Sequence, residues 1–158
     1  MRILCLAVIG ASLLGTTFSG AVRIPENLKG FKAVCSNTTF LEKGERSEPA
    51  RASLYQRMEA ALAEAGIATA RGTDGCEKNG LKSTGQLNLY FSFVTTKSGE
   101  AISTRLEGWL TEEGGYKEVT LWESSFIAQA KPGNAGLDAA DCLDELMKDF
   151  VEDWAKSH

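Results

Sequence analysis

The strictest pattern in the chain lies at residues 86–94, QLNLYFSFV, where apolar residues occupy every second position up to Phe93. Such alternation is typical of a strand with one buried face. The sequence KSGE then predicts a turn, and AISTRLEGWL continues the same period. In VTLWESSFIAQA the apolar positions change phase between Leu121 and Phe126, which predicts a bulge near Trp122. Together these segments predict a three-stranded meander.

Two other segments repeat apolar residues at helical spacing. The first begins near Ser47, a suitable N-cap, with Pro49 in the first turn and Gly66 as the stop. The second covers residues 137–156, and its acidic residues are expected on the solvated faces. Its predicted buried stripe is Ala139, Leu143, Leu146, Met147, Phe150 and Trp154.

The remaining segments complete the predicted order of elements. LKGFKAVCSN predicts a first strand, EKGERSE a polar loop, and IATA after the first helix a short strand. The order is then strand, helix, short strand, three-stranded meander and helix. This order predicts an α+β fold, a two-layer sandwich with a mainly antiparallel sheet and both helices on one face.

The start of the chain predicts a secretory signal. Arg2 precedes an apolar run at residues 3–15, and Ser19 and Ala21 are small residues at the −3 and −1 positions of a cleavage site. The run is shorter than the roughly 20 residues that a membrane span needs. We expect cleavage after Ala21, a single domain over residues 22–158, and a secreted or periplasmic protein.

Charge and cysteines narrow the picture further. The net charge of −4 argues against a nucleic-acid partner, which would need a basic stripe. Cys35, Cys76 and Cys142 remain after cleavage, and export favours disulfide pairing. We expect Cys35 to pair with Cys76, because RGTDGCEKNG is a flexible loop that can adapt to disulfide geometry. Cys142 remains an alternative partner.

The sequence offers little catalytic chemistry. Cys35 lies in the apolar, β-branched stretch AVCSNTTF, and the one histidine that could activate it is His158, at a chain end where fraying is expected. No Cys and His cluster, calcium loop or phosphate loop is present, so no metal or cofactor is expected. Glu107 and Glu123 lie on neighbouring predicted strands and leave open a carboxylate-based hydrolase acting on glycans.

One face of the predicted meander carries aromatic and charged residues. If Leu106 points inward, Arg105 and Trp109 point outward, together with Tyr90, and Trp122 near the bulge is a further candidate. Aromatic residues on a polar sheet face form docking surfaces for a peptide, a glycan or a protein. Alternatively, a loop covers these residues, or they form cross-strand pairs that stabilise the sheet.

The stretch Asn37-Thr38-Thr39 matches the N-glycosylation sequon. A eukaryotic secretory pathway could attach a glycan there, whereas in a bacterium the match would have no meaning.

The layout resembles that of small bacterial envelope domains, namely the TolB N-terminal domain and the LpoB-type lipoprotein domain. The resemblance rests on the element order, on AALAEAGI before the meander and on the helix end DFVEDW. It implies helices on one side of a small mixed sheet and a role in binding a partner. No functional residue carries over, and Cys5 lacks the lipobox of the lipoprotein members.

The leading hypothesis is therefore an exported, non-catalytic binding module or envelope accessory protein. The alternatives are the carboxylate-based hydrolase and a carrier that holds a small apolar ligand between helices and sheet.

Overall fold

A computed structural model describes residues 23–70, 86–110, 119–129 and 133–158, which form a five-stranded mixed sheet and two helices. The elements are β1 (Ala33–Glu42), β2 (Glu45–Arg46), α1 (Glu48–Glu64), β3 (Gln86–Thr95), β4 (Ala101–Leu110), β5 (Val119–Gln129) and α2 (Ala135–Ser157). A 3₁₀ turn at Pro25–Leu28 precedes them. The predicted α+β fold is confirmed. The predicted leader lies outside the described residues.

The strands are arranged in the order β2-β1-β3-β4-β5. β1 and β3 are parallel, and the other three pairs are antiparallel. The predicted meander is thus β3-β4-β5. Its bulge is also confirmed, because Gly108 pairs with Trp122 while Trp109 pairs with Thr120, which leaves Leu121 as the extra residue.

Both helices pack on the same face of the sheet. Thr38 in β1 and Ser124 in β5 belong to one transverse row that runs through β3 and β4. The Thr38 hydroxyl donates to the carbonyl oxygen of Arg51 in α1 at 3.0 Å, and the Ser124 hydroxyl donates to Asp149 Oδ2 in α2 at 3.0 Å. Because the two ends of one row contact the two helices, the opposite sheet face is the one that α1 and α2 do not cover.

The core lies between the helices and the sheet. Phe40 stacks on Phe93 with ring centroids 5.3 Å apart, and Trp122 meets Phe150 edge to face at 5.2 Å. Burying each such side chain contributes about 1.5–3 kcal/mol. The largest fully buried side chains are Trp122, Phe91, Phe93, Phe150, Leu28, Met58, Leu62, Leu87, Leu89, Leu106, Leu143 and Leu146. The predicted apolar stripes of β3 and α2 are therefore the stripes that fill this core.

The ends of the first helix agree with the sequence signals. Ser47 is the N-cap of α1, and its side chain accepts a hydrogen bond from the backbone N–H of Ala50 at 3.4 Å. Gly66, after the helix, has φ +70°, a conformation that glycine adopts at little cost. The predicted short strand that follows is a single parallel bridge between Thr69 and Val34.

Two details at the start of the domain differ from the predictions. The segment predicted as a polar loop is a tight hairpin between β1 and β2, because Lys43 and Gly44 both take positive φ, 55° and 90°, as a type I′ turn requires. The first strand begins at Ala33, whereas Leu28 belongs to the 3₁₀ turn, and Gly30 at φ +96° separates the two elements.

Candidate functional site

Three neighbouring transverse rows carry the polar and aromatic residues of the sheet face opposite α1 and α2, called the outer sheet face below. The first row is Asn37, Tyr90, Glu107 and Glu123; the second is Thr39, Ser92, Arg105 and Ser125; the third is Cys35, Asn88, Trp109 and Thr120. Neighbouring strands in a row are about 4.8 Å apart. The rows place aromatic, basic and acidic side chains within reach of one another.

Tyr90, Arg105 and Trp109 lie on this face, as period-two alternation predicts. Tyr90 and Trp109 are half-buried, and the Tyr90 hydroxyl donates to Thr39 Oγ1 at 2.6 Å. Tyr90 pairs directly with Glu107, so Trp109 is its diagonal neighbour, at a separation of about 7–8 Å between backbones. The two rings therefore share one patch of the sheet.

The charged groups of the face surround a single guanidinium. Arg105 Nη1 lies 3.5 Å from Glu107 Oε2, and Arg105 Nε lies 3.5 Å from Glu123 Oε1. The arginine side chain is 50% exposed, whereas the two glutamates are 20% and 16% exposed. Ser125 also donates to Glu123 Oε1 at 3.1 Å. Half-exposed ion pairs contribute about 0–1 kcal/mol, so the group gives the face polar specificity more than stability.

The prediction that Trp122 joins the outer sheet face is wrong. Its side chain is fully buried on the inner face, and its Nε1–H donates to Asp153 Oδ2 at 3.1 Å. The extra residue at Leu121 shifts the alternation, so that Trp122 takes the inward phase of Ser124. Trp122 therefore belongs to the core.

Asp153 is the centre of a buried polar cluster that the sequence does not reveal. Its carboxylate is 3% exposed and accepts from Trp122, from Arg23 Nε at 2.9 Å and from Lys156 Nζ at 3.1 Å. Arg23 also pairs with Asp149 Oδ1 at 2.8 Å. Burial raises the pKa of Asp153, but the hydrogen bonds from Arg23, Trp122 and Lys156 outweigh burial and lower this pKa to about 2.

The acidic residues of α2 are therefore not all on solvated faces. Asp153 lies three residues after Phe150 and seven after Leu146, so it falls within the apolar stripe, which is the one sequence signal that marks it. Asp138 is also buried, 4% exposed, in the first turn of the helix.

Cys35 is disulfide-bonded and 5% exposed. The expected partner, Cys76, lies outside the described residues, so the pairing of these two cysteines stays a prediction. Cys142, the alternative partner, is buried in α2 with 1% exposure. A disulfide sulfur is not a thiolate nucleophile, so Cys35 in this state is a structural residue.

His158 is held in place, contrary to the expected fraying. Its ring stacks on Trp154 with centroids 4.3 Å apart, and its Nε2 lies 2.7 Å from the carbonyl oxygen of Phe31. The imidazole therefore links the C-terminal end of α2 to the segment that precedes β1.

Two open grooves follow the seam between α1 and α2. Their volumes are about 640 and 340 Å³, and Arg57 lines both. The Arg57 guanidinium spans the seam with two hydrogen bonds to the Asp144 carboxylate, at 2.5 Å each. The hydrogen bond to Asp144 raises the pKa of Arg57. The larger groove is lined by helix residues, whereas the smaller one is also lined by Phe40 of β1 and so reaches the interface of helices and sheet where the carrier hypothesis places a ligand.

Within the described ranges, no group of three or more His, Cys, Asp and Glu side chains could hold a metal ion. No helix among those ranges is long and apolar enough to cross a membrane. Neither a protein-family model nor a curated protein matches the sequence.

Proposed function

We propose that this chain is an exported, non-catalytic binding module whose outer sheet face binds a protein partner. The observation that carries the proposal is the register that brings Tyr90, Arg105 and Trp109 together on the sheet face that α1 and α2 leave uncovered. Export is supported by the leader sequence, and a role in binding agrees with the resemblance to envelope domains.

The chemistry of the face supports a polypeptide partner. Aromatic rings and an arginine are the side chains most enriched among residues that dominate binding energy at protein interfaces. Glu107 and Glu123 flank Arg105, so the described residues of the face include a guanidinium and two carboxylates that can orient a partner through hydrogen bonds and ion pairs.

Affinity measurements with the identified partner test the proposal. The wild-type chain would be used to isolate a partner from its native compartment, and the purified pair would be compared with Trp109→Ala and Arg105→Ala. Residues that dominate an interface cost about 2 kcal/mol or more when truncated, which is a roughly 30-fold weaker Kd.

The matched control is Leu137→Ala, which removes an apolar side chain that is 70% exposed on α2, away from the outer sheet face. We expect this variant to bind like the wild type. If Trp109→Ala and Arg105→Ala also bind like the wild type, the outer sheet face is not the binding surface.

The carboxylate-based hydrolase stays a second candidate, because Glu107 and Glu123 are directly opposite each other on β4 and β5. Two carboxylates at a suitable separation are the minimum for glycoside cleavage. The position of Arg105, 3.5 Å from both carboxylates, weakens this reading, because the guanidinium lies where a glycan would have to approach them. If the double variant Glu107→Gln, Glu123→Gln still cleaved a glycan that the wild type cleaves, these two residues would be excluded as the catalytic carboxylates.

A further inference from the structure

Asn37 occupies an unusual place for its residue type. It lies in the interior of the ten-residue strand β1, although asparagine is depleted in strands. The sequence Asn37-Thr38-Thr39 is also the one N-glycosylation sequon in the 158 residues. Asn37 and Thr39 lie on the outer sheet face, but they are not among the residues proposed above to dominate binding.

The strand separates the three residues of the motif by face. Thr38 points inward, is 1% exposed and is fixed by its bond to the backbone of α1. Asn37 and Thr39 point to the outer sheet face, and Asn37 is exposed. The acceptor side chain is therefore turned away from the core by the same alternation that buries its neighbour.

The Asn37 amide is oriented by its own backbone. Its Oδ1 accepts a hydrogen bond from the N–H of Thr38 at 2.8 Å. Among the described residues, Nδ2 has no hydrogen-bond partner, so substitution at that nitrogen breaks no hydrogen bond within that part of the chain. A carbohydrate at Nδ2 would also meet neither of the two described helices, because α1 and α2 occupy the other face.

The residue next to Asn37 suits a carbohydrate. Tyr90 is its direct partner in β3, at a strand spacing of about 4.8 Å, and its ring lies on the same face. The hydroxyl of this tyrosine is bonded to Thr39, which fixes the ring at the edge of the motif. The first sugar would therefore stand beside a held aromatic ring.

We propose that Asn37 is an N-glycosylation acceptor and that its glycan stands on the β1 side of the outer sheet face. In the reaction, Nδ2 attacks C1 of an oligosaccharide carried by a polyprenyl pyrophosphate. A C1–N bond forms, the C1–O bond to the pyrophosphate breaks, the polyprenyl pyrophosphate leaves with the bonding electrons, and the amide nitrogen loses one proton. The inference depends on the export part of the proposed function, with export through a eukaryotic secretory pathway, and on no property of the partner.

Peptide mapping of the protein isolated from the organism that makes it is the direct test. After reduction and alkylation of Cys35, trypsin should release residues 33–43, which contain Asn37 as the one acceptor. We expect this peptide to carry a glycan, and a peptide N-glycosidase to remove it and leave aspartate at position 37. Recovery of the unmodified asparagine peptide alone would overturn the proposal.

Variants secreted from a eukaryotic cell supply the controls, and both medium and cell lysate are analysed. Asn37→Gln and Thr39→Ala should lose the glycan, whereas Thr39→Ser keeps the sequon and should retain it. A second version with a proven leader in place of residues 1–21 separates failed export from failed modification. An unmodified chain in the medium with the proven leader would also overturn the proposal, whether or not the chain binds its partner.

Discussion

Replacing Asp153 by asparagine tests the buried cluster with almost no change in shape. The pKa of about 2, compared with 3.8 in an unfolded chain, corresponds to about 2 kcal/mol of stability at neutral pH. The carboxylate is 3% exposed, so solvent screening takes little from this figure. Because an asparagine oxygen can still accept from Trp122, we expect Asp153→Asn to lower the free energy of unfolding at pH 7 by about 2 kcal/mol.

The pH dependence gives the sharper test. A folded-state pKa below the unfolded one stabilises the protein above pH 3.8, and the contribution is lost as the pH falls towards 2. At pH 3 about half of it remains, so the gap between wild type and Asp153→Asn should shrink to about 1 kcal/mol. Urea unfolding of the oxidised protein at pH 7 and pH 3 measures both gaps.

The matched control is Glu145→Gln, which neutralises an exposed carboxylate on the same helix. Its effect should stay within about 0.5 kcal/mol at both pH values, as is usual for surface substitutions. The assignment of the stabilisation to this carboxylate is refuted if Asp153→Asn lowers the free energy of unfolding at pH 7 no more than Glu145→Gln does. It is also refuted if the difference between wild type and Asp153→Asn does not become smaller at pH 3.

Two further substitutions test local geometry, and urea unfolding measures both. Gly44→Ala should lower the free energy of unfolding by about 1–2 kcal/mol, because φ is +90° in the turn. The control, Gly136→Ala in α2, has open space for the added methyl group and should be neutral or stabilising by up to about 0.5 kcal/mol. Equal effects of the two substitutions would contradict the turn assignment. Tyr90→Phe removes the bond to Thr39 and should cost about 0.5–1.5 kcal/mol, and an unchanged midpoint would show that this bond contributes no stability.

The parts of the fold that were predictable are those in which one face of an element is buried. β3 alternates Leu87, Leu89, Phe91 and Phe93 inward, and this period alone fixes which face carries Tyr90. The same rule places Arg105 and Trp109 in β4. The alternation of apolar residues within single strands therefore predicts the correct face for three of the four proposed surface residues.

The parts that were missed depend on distant partners. The position of Trp122 is decided by one extra residue in β5, which periodicity locates only to within a residue or two. The burial of Asp153 requires Arg23, which is 130 positions away in the chain. No local pattern indicates that a charge on an apolar stripe will find such a partner.

The parallel pairing of β1 with β3 determines how the domain can assemble. β3 and β4 are joined by the short turn at residues 96–100, so their contacts close a small loop, whereas β1 reaches β3 only across α1 and residues 65–85. The entropy of closing that long connection favours a late addition of β1 to a sheet begun elsewhere. Although β1 precedes the other described strands in the sequence, it is thus expected to join the sheet after β3, β4 and β5 have paired.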